Sequence, residues 1–354
     1  MAYTDIDKPS DYFNTILWTG NGVDDRSISG VGFQPDWVWY KERSSTSAHK
    51  LYDAVRTATK ELESNSNAAE STNADALQAF ETDGFQVGTH GSVNQNGETY
   101  VAWNWKAGTS VSGDTTGSGT LKTYTGSVNT TSGFSIINFV GNGTAGHTIP
   151  HHLGVAPKMV IVKNRTSGST SWQTYHYNLD NGAGTNEIFL DGTGATNASA
   201  GAWNNTAPSS TVITKGTGSY GNENNSNHIM YSFAEKQGYS KIGSYTGNGN
   251  ANGTFVYTGF KPVFVMIKSS SNASTHWVIK DNKRSGYNVV NNNLYPNLSD
   301  AEDNVASVYT DLLSNGFKLR GTYSGTNASG YTYIYMAFAE NPFVTSSGVP
   351  ATAR

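Results

Sequence analysis

The sequence predicts an all-β protein made of three tandem β-sandwich or jelly-roll domains related by internal repeat. Composition is the first ground. Among 354 residues there are 39 Gly, 20 Tyr, 14 Phe and 8 Trp, and charged residues make up 14%, well under the usual share of about 25%. Abundant Gly, Ser, Thr and Asn, with few Leu or Lys, disfavour long helices and suit strands joined by polar turns. The second ground is a stretch that occurs three times. It reads Gly32-Phe33-Gln34-Pro35-Asp36-Trp37-Val38-Trp39-Tyr40-Lys41, then Gly154-Val155-Ala156-Pro157-Lys158-Met159-Val160-Ile161-Val162-Lys163, then Gly259-Phe260-Lys261-Pro262-Val263-Phe264-Val265-Met266-Ile267-Lys268. Glycine permits a turn, proline suits a strand's first residue, and the apolar run behind them reads as a strand buried on both faces. The third ground is order. Pro35, Pro157 and Pro262 lie 122 and 105 residues apart, and the closing strands, aligned on Ala102, Ser232 and Ala337, lie 130 and 105 apart. A period of about 110 residues is far above that of solenoid repeats, so each copy is a whole domain.

The domains are expected over residues 1–112, 113–237 and 238–354. In module one, 12–18 reads as a strand ended by Thr19-Gly20-Asn21-Gly22, followed by the anchor strand and a short strand over 49–55. Residues 57–83 are polar and are expected to be mostly loop, with one helical turn over 74–80. Strands resume over 84–88 and close the module over 99–106. Residues 109–120, rich in Gly, Ser and Thr, read as a flexible linker that lets module one sit apart. Module two repeats the order over 133–140, the Gly141-Asn142-Gly143 turn, the Pro157 strand, 171–176, 187–191, a polar loop over 195–210, and 228–235. Module three begins at once near Gly238, which suggests that it packs with module two. Its strands are 241–245 before Gly247-Asn248-Gly249, the Pro262 strand, 275–281, 315–319 and 333–340.

The net charge of −4 leaves no basic footprint, so neither nucleic acid nor an anionic membrane is an expected partner. The absence of cysteine excludes disulfides and thiolate metal sites. Met1 to Asp7 lack the basic and apolar regions of a secretory signal, and no apolar run approaches the roughly 20 residues that span a bilayer. Membrane insertion is not expected.

Trp37, Trp39, Trp103 and Trp105 stand at spacing two, so each pair shares one face of a strand. They could stack on sugar rings, but the other copies carry aliphatic residues or Phe there, which points to core or to a contact between domains. Trp203 lies in a polar loop and is a candidate surface contact. His147, His151 and His152 crowd another loop. Imidazoles can hold zinc, yet the other modules have no histidine there, so these three are taken as candidate surface contacts and no metal or other cofactor is expected. Lys41, Lys163 and Lys268 recur at the end of the anchor strand, and Glu235 and Glu340 follow two closing strands. They read as strand-end ion pairs or solvated charges. Asp53 and Asp281 follow matched strands, but no nucleophile elbow, metal motif or phosphate loop accompanies them, so no catalytic residue is assigned and an enzyme is not expected.

Gly32–Val38, Tyr100–Lys106, Trp277–Arg284, Asn293–Asn297 and Ala337–Phe343 resemble tail-fibre-like structural proteins of marine tailed bacteriophages. The resemblance spans nearly the whole chain and implies repeats of the SPRY or concanavalin A-like β-sandwich. It further implies a virion protein, a tail fibre or adhesin or a capsid fibre or decoration protein, assembled in host cytoplasm beside other virion proteins. It favours a homotrimer, with host surface glycans as a further expected contact. The other reading left open is a carbohydrate-binding or polysaccharide-degrading protein on the same fold.

Overall fold

The computed structural model describes residues 2–351. Its strands form six antiparallel sheets, a large and a small one in each third of the chain. Each large sheet holds the same four strands in the same order: opening, closing, anchor, flanking. The opening strands are Phe13–Thr19, Phe134–Val140 and Ser240–Thr246, and the closing strands are Thr99–Trp105, Asn227–Phe233 and Thr332–Pro342. The anchor strands are Trp37–Glu42, Met159–Asn164 and Phe260–Ser269, and the flanking strands are Lys50–Asp53, Gln173–His176 and Val278–Asp281. Register fixes the equivalences: Trp37 faces Trp105, Met159 faces Phe233, and Phe264 faces Phe338. Asn104, and not Ala102, therefore matches Ser232 and Ala337. The alignment on Ala102 slipped by two residues, a shift that keeps the same side chains on the same face and so escapes a pattern of alternation.

Each anchor strand carries an unbroken apolar run ahead of its buried lysine because both of its faces are covered. One face meets the module's own small sheet. In module one that sheet is Arg26–Ser29, Gly84–Val87 and Leu77–Glu81, and it encloses Val38, Tyr40, Phe85 and Tyr100. Modules two and three have the same arrangement around Val160 and Val162, and around Val265 and Ile267. The opposite face of every large sheet enters one shared core, where Trp37, Trp39, Trp103 and Trp105 meet Phe134, Tyr231 and Phe233 as well as Phe264 and Phe338. Trp37 stacks on Tyr231 at 4.4 Å and Phe13 stacks on Phe338 at 5.0 Å. Such aromatic pairs contribute about 1 kcal/mol each beyond the area they bury. These four tryptophans of module one fill the centre of the whole chain, while its fifth, Trp18, lies in the module's own core.

Several expectations are corrected. Residues 109–120 are not a flexible linker: Thr109–Asp114 pairs with Thr123–Asn129 at the edge of module two's large sheet, and module one packs into the shared core. Leu77–Glu81 is a strand, not a helical turn, since it pairs with Gly84–Val87 across a tight turn. The polar segment before it also holds short strands at Lys60–Glu63 and Ser71–Thr72.

Candidate functional site

Three seams join the modules, and they are built from equivalent positions. At the seam of modules one and two, Tyr231 donates to Asp53 at 2.7 Å, the Trp172 indole donates to the Glu63 carbonyl at 2.8 Å, and Arg165 holds Glu70 by two bonds of 2.8 Å. At the seam of modules three and one, Trp103 donates to Asp281 at 3.0 Å, and Arg43 holds Glu302 at 2.7 and 3.1 Å. A second arginine ties each set together. Arg56 bonds Asp53 and Glu70 at 2.5 and 3.0 Å, and Arg284 bonds Asp281 and Glu302 at 2.6 and 2.8 Å. At the seam of modules two and three the charges are gone together. His176, Leu179, Thr196 and Ser270 occupy the positions of Asp, Arg, Glu and Arg. The backbone bond survives, Thr196 to Ser270 at 2.9 Å, as does the indole bond, Trp277 to the Phe189 carbonyl at 3.0 Å. His176 now meets the Tyr335 carbonyl at 3.2 Å. Removing all four charges at once avoids a buried unpaired ion, which is the costly intermediate. Module one meets two, two meets three, and three meets one, each through unlike faces, so the ring closes with no face of this kind left over.

Electrostatics follow the burial. Burial pushes the Glu70 carboxyl up, but Arg165 and Arg56 outweigh it and hold it below the usual carboxylate range. Burial pulls His176 down to about 4, so it is neutral at pH 7. Lys41, Lys163 and Lys268, expected as ion pairs or solvated charges, are fully buried; the tail of each anchor strand lies beneath the loops of the seam. Their ammonium groups donate to carbonyls and threonine hydroxyls, Lys163 to Asn67 and Thr170 and Lys268 to Thr193 and Thr275. Desolvation brings all three to about 8. Glu235 instead pairs with Lys158 and Lys241, and Glu340 with Lys261.

Three of the four candidate surface contacts are corrected. Trp203 is 1% exposed, and its ring lies 3.7 Å beneath the Lys215 ammonium. His147 and His151 are fully buried. His147 bonds Asn222 and Thr115, and His151 bonds the Ser209 carbonyl. The segments read as polar loops, but His147 opens the strand His147–Pro150 and Trp203 ends the helical turn Ala200–Trp203, so polar composition there does not mean exposure. His152 is exposed and meets the Tyr124 hydroxyl at 2.8 Å. Among the described residues no group of three or more His, Asp or Glu side chains is placed to hold a metal. Asp53 and Asp281 are not brought together: each lies fully buried against its own arginine in a different seam.

The sequence reading missed a repeated turn lock. Asn94, Asn222 and Asn327, all buried, accept from the backbone N–H of Asn21, Asn142 and Asn248. Each thereby fastens a Gly-Asn-Gly turn. A Cβ on the first glycine, Gly20, Gly141 or Gly247, would stand within 2.3 Å of a carbonyl oxygen. These turns lie at the lysine end of the anchor strands. The proline end gathers both connections between modules and both described chain ends, where Thr4 bonds Gln237 and Asp7 bonds Ser346. A cleft of about 660 Å³ beside the first connection is lined by polar residues such as Asp36, Lys106 and Ser127 together with Ala54, Val55 and Val111.

Residues 8–342 match the family described as "Domain of unknown function (DUF7483)", and the chain belongs to that family. No curated protein and no solved structure matches it.

Proposed function

Starting from membership of a family described only by its unknown function, we propose that the chain is a non-enzymatic structural protein of a tailed-phage virion. It is displayed on the particle surface as a tail fibre or adhesin, or as a capsid fibre or decoration protein. Its three modules are read as concanavalin-like sandwiches. One observation carries the proposal: the ring is polar, with chain ends and connections gathered at one end and three locked turns at the other. A rigid body of that form attaches by one end and presents loops at the other, which is how scaffolded loops serve recognition. The resemblance to phage tail-fibre-like proteins supports the same reading. Assembly takes place in host cytoplasm beside other virion proteins, and contact with host glycans falls to the turn end. A homotrimer of such chains forms through outer surfaces, because the faces that join modules are already used within the chain.

Electron microscopy of particles carrying the labelled chain tests this directly, with label on the tail or the capsid surface as the expected result. A glycan array and a reducing-sugar assay divide the roles. Binding without cleavage supports an adhesin, neither signal supports decoration, and release of sugar overturns the proposal in favour of a polysaccharide-degrading protein.

A further inference from the structure

Module three contains a buried lysine set against a side-chain amide and a carboxyl group. Lys280 and Asn293 are both 0% exposed. The Lys280 Nζ donates to Asn293 Oδ1, and at 3.2 Å to the Val290 carbonyl. On its other side the Asn293 Nδ2 donates to Asp303 Oδ1 at 2.5 Å, while Asp303 Oδ2 accepts from Tyr295 at 2.9 Å. Backbone bonds between Asn293 and Asp303, of 2.9 and 3.2 Å, fix this arrangement. Lys280 shares a face with its cross-strand partner Val265, inside the apolar core of module three.

The order of groups matters. A buried ammonium gains most from a carboxylate in direct contact. Here the nearby carboxylates are engaged elsewhere: Asp281 with Arg284, Glu302 with Arg43 and Arg284, and Asp303 with the far side of the amide. Among the other buried lysines, the anchor-strand lysines Lys41, Lys163 and Lys268 face backbone carbonyls and hydroxyls, which offer no side-chain acyl group to displace.

We propose that Lys280 and Asn293 join through an intramolecular isopeptide bond, with Asp303 carrying the proton. The Nζ lone pair forms a C–N bond to Asn293 Cγ. One Nζ proton passes by way of an Asp303 oxygen to Nδ2, the Cγ–Nδ2 bond breaks, ammonia leaves, and Asp303 ends as it began. No oxidant or cofactor enters the balance. The step needs a neutral amine, and desolvation supplies it by bringing Lys280 to about 7. The bond ties the flanking strand Val278–Asp281 to the segment across the 282–292 loop and secures it covalently in a chain without cysteine.

Mass spectrometry of the full-length purified chain is the test. The expected intact mass lies below the sequence mass by about 17 Da, one ammonia per bond, as acyl transfer to a lysine nucleophile requires. Lys215 also donates to a side-chain amide, that of Gln173, so tryptic mapping must locate the loss. Peptide 269–283, uncut at Lys280, should appear joined to peptide 285–318. Lys280→Arg and Asn293→Ala should each restore the missing mass, as should Asp303→Ala in protein that circular dichroism shows to be folded. Recovery of a linear peptide ending at Lys280, together with unmodified Asn293, after prolonged incubation at neutral pH would overturn the proposal. A bond that still forms in folded Asp303→Ala protein would overturn the role of Asp303.

Discussion

Asp281 and His176 occupy one position in two modules, and truncating each should cost very different amounts. Asp281 is fully buried and accepts four hydrogen bonds: from the Arg284 side chain at 2.6 Å, Trp103 at 3.0 Å, and the backbone N–H groups of Lys283 and Arg284 at 3.0 and 2.9 Å. Asp281→Ala leaves the Arg284 guanidinium buried with only Glu302 and the Ile279 carbonyl, and leaves the Trp103 indole unpaired. Breaking a buried ion pair from one side costs about 4 kcal/mol. His176 makes two bonds, to the Tyr335 carbonyl at 3.2 Å and from the Asn178 N–H at 3.1 Å, and leaves no charge behind. His176→Ala should cost about 2 kcal/mol, from lost hydrogen bonds and a small cavity. Urea denaturation at pH 7, followed by tryptophan fluorescence and by circular dichroism, measures both. The two probes should coincide in one transition, because all three modules share a core. Equal costs for the two variants would refute the charge argument, and separate transitions would refute the shared core.

Three further outcomes are expected. His151 and His176 are held at about 4 and His228 at about 3 by burial. The unfolded chain therefore takes up protons first below pH 6.5, and stability falls as pH drops from there. The loss reaches about 2 kcal/mol per histidine at pH 5, and a melting temperature unchanged between pH 7 and 5 would contradict it. Gly141→Ala places a methyl group 2.3 Å from the Glu223 carbonyl, whereas a Cβ at Gly194 meets nothing within 4 Å. The first should cost more than about 2 kcal/mol and the second under about 0.5 kcal/mol in the same urea assay, and matching costs would remove the turn lock. Seven of the eight tryptophans are at most 1% exposed and Trp18 is 9% exposed. Acrylamide should scarcely quench native fluorescence, and quenching near that of free tryptophan would show the core to be open.

The repeat was legible because its marks are local. A Gly, a Pro, an apolar run and a Gly-Asn-Gly turn each act on neighbours a few residues away, and comparison of copies identified the tryptophans as packing residues. The seams were not legible. Glu70 and Arg165 stand 95 residues apart, and each lies in a stretch that reads as ordinary polar loop. Polar composition does not distinguish a solvated side chain from one whose bonds are satisfied inside, and His147, His151 and the three anchor lysines were misjudged for that reason. Residues 109–120 failed differently: Gly, Ser and Thr suit a linker, yet the backbone there pairs with Thr123–Asn129, so tertiary contact overrode composition.

Three modules close into one ring around a common core. Small-angle X-ray scattering of the dilute full-length chain tests it most directly. A single compact body of this length predicts a radius of gyration of about 20 Å, whereas three separate modules in line would give about 30 Å. The ring requires the smaller value, and the larger would contradict it.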